Sequence, residues 1–332
     1  MLPISEALFV QTAKTLFTGF VVGDCMGVPH EFKPAQSLLH ESFEEMTGGG
    51  VHDQLAGTWS DDTALAMCTF EVLKTGTWPI VLGDIFSEFL IHGHWTVDKH
   101  VFDIGIATRR GIEAHLDEPE IWTSETPLNP RFPNRFHDNG NGALMRMPSA
   151  ILLAMATDLS SYHTLAQACS HPTHNHTVNA TCCEFYIRLG VLIASGLGLE
   201  DSMSQAYSQT KDIAATIGID RPLHSVEAIR AKSTEALNPK GFVLDSLEIA
   251  LWSVLQAKNY KEAIQYTLRL GHDTDTNAAI TGSLAALVFG LEDIPISWIN
   301  GVRSYDRLLK NVEAYAKEMY QLPRDGFIPS GL

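Results

Sequence analysis

Apolar side chains return at three- and four-residue steps along much of this 332-residue chain, while strict alternation is scarce. That pattern commits the chain to helices and leaves little material for strands. Leu8, Phe9, Ala13, Leu16, Phe17, Phe20 and Val21 mark a first helix. The same spacing predicts helices over 60–73, 85–91, 151–156, 181–194, 244–258, 261–270 and 277–289. No internal repeat and no linker-like shift in composition interrupts them. The expectation is therefore an all-α fold, one compact many-helix domain over residues 1–332. With 45% hydrophobic residues the chain has enough apolar material for a sizeable core.

Charge and cysteine usage narrow the class. Asp and Glu number 39 against 23 Lys and Arg, a net charge of −16, so nucleic acid and anionic membrane surfaces are poor default partners. No apolar run reaches the ~18–20 residues of a membrane span; 278–291 comes nearest. The first residues lack the basic stretch of a secretory signal. Cys25, Cys68, Cys169, Cys182 and Cys183 are odd in number and include no C-x-x-C, so neither a disulfide framework nor a zinc ribbon is expected. A reducing cytoplasm is the simplest compartment. The oligomeric state stays open, with a monomer favoured.

Four stretches break the helical pattern: 28–51, 118–142, 170–177 and 233–241. Loops this long are uncommon in a compact helical domain and are more often functional than merely connecting. Two acidic turns sit directly before helices. In Ser60-Asp61-Asp62-Thr63 the plain reading is an N-cap, with acids offsetting the helix dipole. In Asp273-Thr274-Asp275-Thr276 that reading weakens, because one cap needs one acceptor and this turn supplies two carboxylates and two hydroxyls. The small residues that follow, Ala278, Ala279, Gly282, Ser283, Ala285 and Ala286, allow close helix packing and a deep site.

If the two turns converge, like charges at ~4 Å repel by roughly 4 kcal/mol per pair at an effective dielectric of about 20. Such a cluster either protonates or takes up cations. Four carboxylates balance two divalent cations, and an all-oxygen donor set with Ser60 and Thr276 at its edges favours Mg2+ or Mn2+ over zinc. Other residues have plain readings of their own. Glu31 and Asp24 suit a loop acid and a helix end, Asp103 a cap, Asp138 to Gly142 a turn cluster, and Met145 and Met147 packing. His171, His174 and His176 lack the context of a zinc site.

Taken together, these segments resemble the ADP-ribosylglycohydrolase family across residues 19 to 290. The resemblance rests on Gly19-Phe-Val-Val-Gly23-Asp24-Cys-Met-Gly27-Val-Pro29-His-Glu31-Phe32, Trp59-Ser60-Asp61-Asp62-Thr63, Phe102-Asp103-Ile104-Gly105, Gly140-Asn141-Gly142-Ala143-Leu144-Met145-Arg146, Thr173-His174, and Gly271-His272-Asp273-Thr274-Asp275-Thr276-Asn277. The third and fourth look most like the dinitrogenase-reductase-activating branch. The resemblance implies an all-α fold with a two-metal cleft, in which Ser60, Asp61, Asp62, Asp273, Asp275 and Thr276 ligate the metals. It places Glu31 beside them, holding or activating water or ligating a metal, and makes Asp103 a catalytic acid. Asp138, Asn139, Gly140, Asn141, Gly142, Met145, Arg146 and His174 would line an ADP-ribose pocket.

The implied substrate is an ADP-ribosylated protein side chain, arginine favoured, cleaved at C1 of the distal ribose. A two-metal hydrolase of a free ADP-ribose derivative or phosphoester, and a non-catalytic ADP-ribose binder, remain open. Two departures from the family pattern stand out. Ser60 replaces a commoner Thr and keeps the hydroxyl. His272 replaces a commoner Gly and adds bulk beside the first ligand.

Overall fold

The computed structural model describes residues 4–75, 80–119, 139–157, 161–216 and 224–323, with backbone alone for 80 and 211–216. The helices are α1 (Glu6–Gly27), α2 (Asp61–Leu73), α3 (Ile80–His92), α4 (Ile106–Asp117), α5 (Met147–Ala156), α6 (Tyr162–Ser170) and α7 (Thr177–Ala194). They continue with α8 (Leu199–Thr216), α9 (Val226–Arg230), α10 (Val243–Gln256), α11 (Tyr260–Arg269), α12 (Thr274–Phe289), α13 (Ile296–Gly301) and α14 (Tyr305–Tyr320). Among the described residues there is no strand, only isolated bridges such as Pro34 with Gly271 and Gly140 with Phe242. The fold is all-α, and its buried apolar side chains form one continuous core. The five cysteines are buried free thiols within it.

The most extensive helix contact joins α1 to α12, the first long helix to one far along the chain. Gly19, Gly23 and Gly27 lie four residues apart on one face of α1. A Cβ on Gly23 would stand 2.1 Å from the Ala278 carbonyl oxygen, and one on Gly27 would stand 2.3 Å from the Asp275 Cα. Gly282 reciprocates from α12, where a Cβ would lie 2.2 Å from the Gly19 oxygen. The small residues anticipated after the second acidic turn thus bring two backbones together. Thr274 Oγ1 donates to Gly27 O at 2.8 Å and Tyr260 OH to Gly19 O at 2.6 Å, satisfying carbonyls at this seam.

Helix ends differ from the periodicity in informative places. α12 begins at Thr274, three residues before the apolar pattern does, so Asp275 and Thr276 belong to its first turn rather than to a preceding loop. α7 corrects the expectation that 278–291 is the nearest approach to a membrane span. Its 18 residues have mean hydropathy 1.2, long and apolar enough by length and composition, yet 78% of it is buried inside the protein as a core helix.

Candidate metal centre and substrate cleft

Each acidic turn opens a helix. Ser60 is the N-cap of α2, its Oγ accepting from the Asp62 N–H at 3.2 Å, so the plain capping role is real. Asp273 is the N-cap of α12 but caps nothing with its side chain, which leaves that carboxylate for other work. The structure brings the two turns together: Thr276 Oγ1 donates to Asp62 Oδ2 at 3.3 Å, and Ser60 Oγ donates to the same oxygen at 2.9 Å. Glu31, Asp273 and Asp275 each offer a carboxylate oxygen within 4.8 Å of the others. Asp62 is fully buried and Asp275 1% exposed, yet Asp62 Oδ1 and both Asp275 oxygens have no hydrogen-bond partner in the protein.

Burial pushes Asp61, Asp62 and Asp275 well above the usual carboxylate range. Neighbouring acids add to this, with Asp103 foremost at Asp61, Asp24 at Asp62 and Glu31 at Asp275. Asp273 is raised too, chiefly by burial. Carboxylates crowded and buried without donors form a receptor for positive charge. The orphaned oxygens and the all-oxygen donor set fit hard divalent cations.

Glu31 reaches this cluster because its neighbour is pinned to the α12 turn. Phe32 and His272 both take left-handed backbone, φ 61° and 59°. Phe32 N–H donates to His272 O at 2.6 Å, and His272 N–H donates to Lys33 O at 2.7 Å. Glycine would suit this conformation; histidine occupies it with strain.

Two functional neighbours were not foreseen. His52 Nε2 lies 2.5 Å from Glu31 Oε2, and Asp103 completes a second group of three possible ligand atoms within 4.8 Å. The signal was the glycine triplet before it. Gly50 has φ +73°, and a Cβ there would meet Pro29 O at 2.7 Å, so only glycine lets that loop close onto the Glu31 segment. Asp24 is the other. It sits inside α1, fully buried, and accepts from Ser60 N–H (3.0 Å), Thr63 N–H (3.0 Å) and Thr63 Oγ1 (2.6 Å). It caps α2 from another helix. Among the described residues, no group of possible metal ligands includes His171, His174 or His176.

A cleft of about 710 Å³ opens beside the cluster. Glu31, Asp61, Asp103, Asp273 and Thr276 line it, and so do Gly140, Asn141, Gly142, Met145 and His174. Asn141 links the two sets, its Nδ2 donating to Asp273 Oδ2 at 2.8 Å. Ser60, Asp62 and Asp275 sit behind the lining, buried.

Two expected pocket residues are corrected. Asn139 is buried off the cleft, its carbonyl accepting from Val243 N–H at 2.9 Å. Arg146 is fully buried, stacked 4.9 Å over the Phe86 ring, and donates to Cys169 O (2.8 Å) and Thr173 Oγ1 (2.9 Å). Its work is indirect. The Thr173 hydroxyl in turn lies 2.8 Å from His174 Nδ1. Burial holds the His174 ring neutral, its pKa lowered to about 3. Asp138 lies outside the described residues, as does most of 118–142.

The raised acids predict a pH dependence for the metal-free protein. Burial lifts Asp24 from 3.8 to about 6 and Glu31 from 4.5 to about 7. Between those values the native state holds protons that the unfolded chain has released, so the contribution of these acids to stability falls as pH rises from about 4 to about 7. Buried His30 and His174, lowered to about 4 and about 3, contribute in the opposite sense over the same range. The reading specific to the cluster is therefore the gain on adding metal: saturating Mg2+ should raise the melting temperature of chelator-treated protein more at pH 8 than at pH 5. A gain no larger at pH 8 than at pH 5 contradicts the assignment.

Comparisons with known proteins bear on the family and the fold. The family model for ADP-ribosylglycohydrolase matches residues 7–325. The ADP-ribosylarginine hydrolase Tri1 of Pseudomonas putida (strain GB-1) is 28% identical over 293 residues, covering 87% of this chain and 74% of that protein. The ADP-ribosyl-dinitrogen reductase glycohydrolase of Rhodospirillum rubrum is 28% identical over 289 residues, covering 86% and 87%. A solved structure described as an ADP-ribosylglycohydrolase-related protein complex superposes with TM-score 0.72 at 22% identity, covering 95% of this chain and 99% of that one, which speaks to the fold. With the family model spanning nearly the whole sequence, the chain belongs to the ADP-ribosylglycohydrolase family.

Proposed function

We propose that this protein removes ADP-ribose from an arginine side chain of a modified protein by hydrolysing the bond at C1 of the distal ribose. The observation that carries the reading is the meeting of two remote acidic turns at the Thr276–Asp62 hydrogen bond, around buried carboxylate oxygens that have no protein donor. Arginine is favoured because one relative is named for ADP-ribosylarginine.

In this reading Ser60, Asp61, Asp62, Asp273, Asp275 and Thr276 hold two divalent cations, Mg2+ or Mn2+. When bound, such cations supply fixed positive charge that orients ribose hydroxyls and makes water a better nucleophile near neutral pH. The chain's own residues do the rest. Charge develops at C1 as in other glycoside hydrolyses, and the acid-lined wall formed by Glu31, Asp61, Asp103 and Asp273 favours that positive character. Glu31 or Asp103 takes the proton. Glu31, whose carboxyl burial raises in the metal-free protein, stands beside the cluster to exchange one. His52 holds the Glu31 carboxylate in place. Backbone N–H groups of Gly140 and Gly142 receive the diphosphate, that of Asn141 being given to Gly241 O at 3.0 Å, which lets a protein of charge −16 bind a dianion without a basic surface.

The test is a panel of arginine-, serine- and cysteine-linked ADP-ribose, assayed after chelation and again with each metal added. The expected product is free ADP-ribose from the arginine linkage, lost in chelator and restored by Mg2+ or Mn2+. Release of AMP would replace this reading with a phosphoester hydrolase. Tight ADP-ribose binding without turnover of any linkage would make the protein a binder.

A further inference from the structure

Two large apolar side chains on the cleft wall stand out in solvent. Phe32 is 61% exposed and Ile106 72%, and both line the cleft together with the acids. Each is tied to an acid by the chain. Phe32 directly follows Glu31, and Ile106 opens α4 shortly after Asp103. The imidazole of His52, which holds Glu31, joins the two arms: its ring centre lies 6.1 Å from that of Phe32 and 5.2 Å from that of Phe102. Val51, next to His52 on the same loop, is 63% exposed. Apolar surface thus borders the cleft beside Glu31 and Asp103.

Packing does not account for this surface. Phe32 holds left-handed backbone, a conformation that strains an aromatic residue and suits Gly or Asn, and its ring gains little burial in return. Apolar residues scattered singly on a surface need no explanation, but a connected group beside a polar site marks a surface that is covered in use. What covers it follows from the chemistry at the acids. In the reading above, C1 of the distal ribose lies at the wall of Glu31 and Asp103, and its other substituent is a protein side chain. A cleft of about 710 Å³ has room for a small molecule and a side chain but for no folded protein. The polypeptide on either side of the modified residue must therefore rest on whatever borders those acids, and that border is Phe32, His52, Phe102 and Ile106.

We propose that Phe32 and Ile106, with Phe102 and His52 beside them, form a docking surface for the polypeptide that flanks the modified residue, and that this surface selects apolar side chains there. This rests on the functional reading above and extends it from the ADP-ribose group to the protein that carries it.

The test gives the Mg2+-loaded protein free ADP-ribosylarginine and two peptides of about ten residues, each with a single ADP-ribosylarginine, flanked on both sides by leucine in one and by serine in the other. Wild type should cleave the leucine peptide with kcat/KM about tenfold above the serine peptide, through KM, the worth of one buried apolar side chain. Phe32→Asn, which tolerates the left-handed backbone but removes the ring, and Ile106→Ser should each bring that ratio to within about threefold of unity, whereas Phe32→Leu should retain it. Both peptides present the same ADP-ribose and the same arginine, so the ratio does not move with a general loss of activity or stability in a variant. Equal kcat/KM on the two peptides in wild type overturns the proposal, and so does a ratio that survives undiminished in both polar variants. Hydrolysis of free ADP-ribosylarginine with neither peptide accepted overturns it too, while leaving the functional reading intact. A wild type that cleaves none of the three rejects that reading, and this inference with it.

Discussion

Asp275→Ala should reduce turnover to background at ordinary Mg2+ concentration while leaving the protein folded. The two halves of that expectation have one cause. Asp275 is 1% exposed, neither of its oxygens meets a donor, and burial followed by Glu31, Asp62 and Asp273 raises its pKa. In the metal-free protein it is a liability, so alanine removes unfavourable burial and repulsion. In the loaded protein it is a ligand, so alanine removes the reason the cluster exists. Melting without metal should therefore stay level or rise, and the stabilisation given by Mg2+ should collapse. Asp62→Ala should lose turnover equally but melt lower, because Asp62 Oδ2 also accepts from Ser60 and Thr276. Full activity in either variant rejects the metal assignment.

Gly23→Ala should be among the most damaging single methyls in the described residues. The added carbon would stand 2.1 Å from the Ala278 carbonyl oxygen and 2.6 Å from its carbon, and both are backbone. Overpacking a core usually costs about 1–3 kcal/mol because side chains can turn aside. A helix backbone cannot, so α1 and α12 must separate, and about 3 kcal/mol or more is expected. The same separation displaces Asp275 from the α2 turn, so Mg2+ affinity should fall with stability. Denaturant midpoints and metal titration together measure both, and wild-type values in each would show that the seam tolerates expansion.

Much of this arrangement was legible in the sequence. Helices such as α1, α2, α7, α10, α11 and α12 announce themselves because their buried faces are apolar. The second acidic turn stood out in the sequence, since two carboxylates and two hydroxyls exceed what one cap requires, whereas the first read as a plain cap. α4 is hidden for the converse reason: its buried face is Thr108, Gly111, Ile112, Ala114 and His115, too polar and too small to register as a stripe. α14 follows the same apolar rule through Leu308, Val312, Tyr315 and Met319 and is recoverable by it. Arg146 and His174 share a motif-like setting but only His174 reaches the cleft, a distinction that depends on which way each side chain turns. His52 and Asp24 depend on contacts across the fold, 21 residues from His52 to Glu31 and 36 from Asp24 to Ser60, which no local pattern encodes.

Asp24 carries a practical warning for anyone mapping this protein by mutation. It meets no cation and no substrate in the proposed scheme, yet it fastens the start of α2 to α1 through Ser60 and Thr63. An alanine survey scored only by product formation would file it beside Asp61 and Asp62 as a ligand. Scored for heat tolerance as well, it parts company with Asp275, whose loss leaves a sturdy, silent protein, whereas a missing fastener leaves a fragile one.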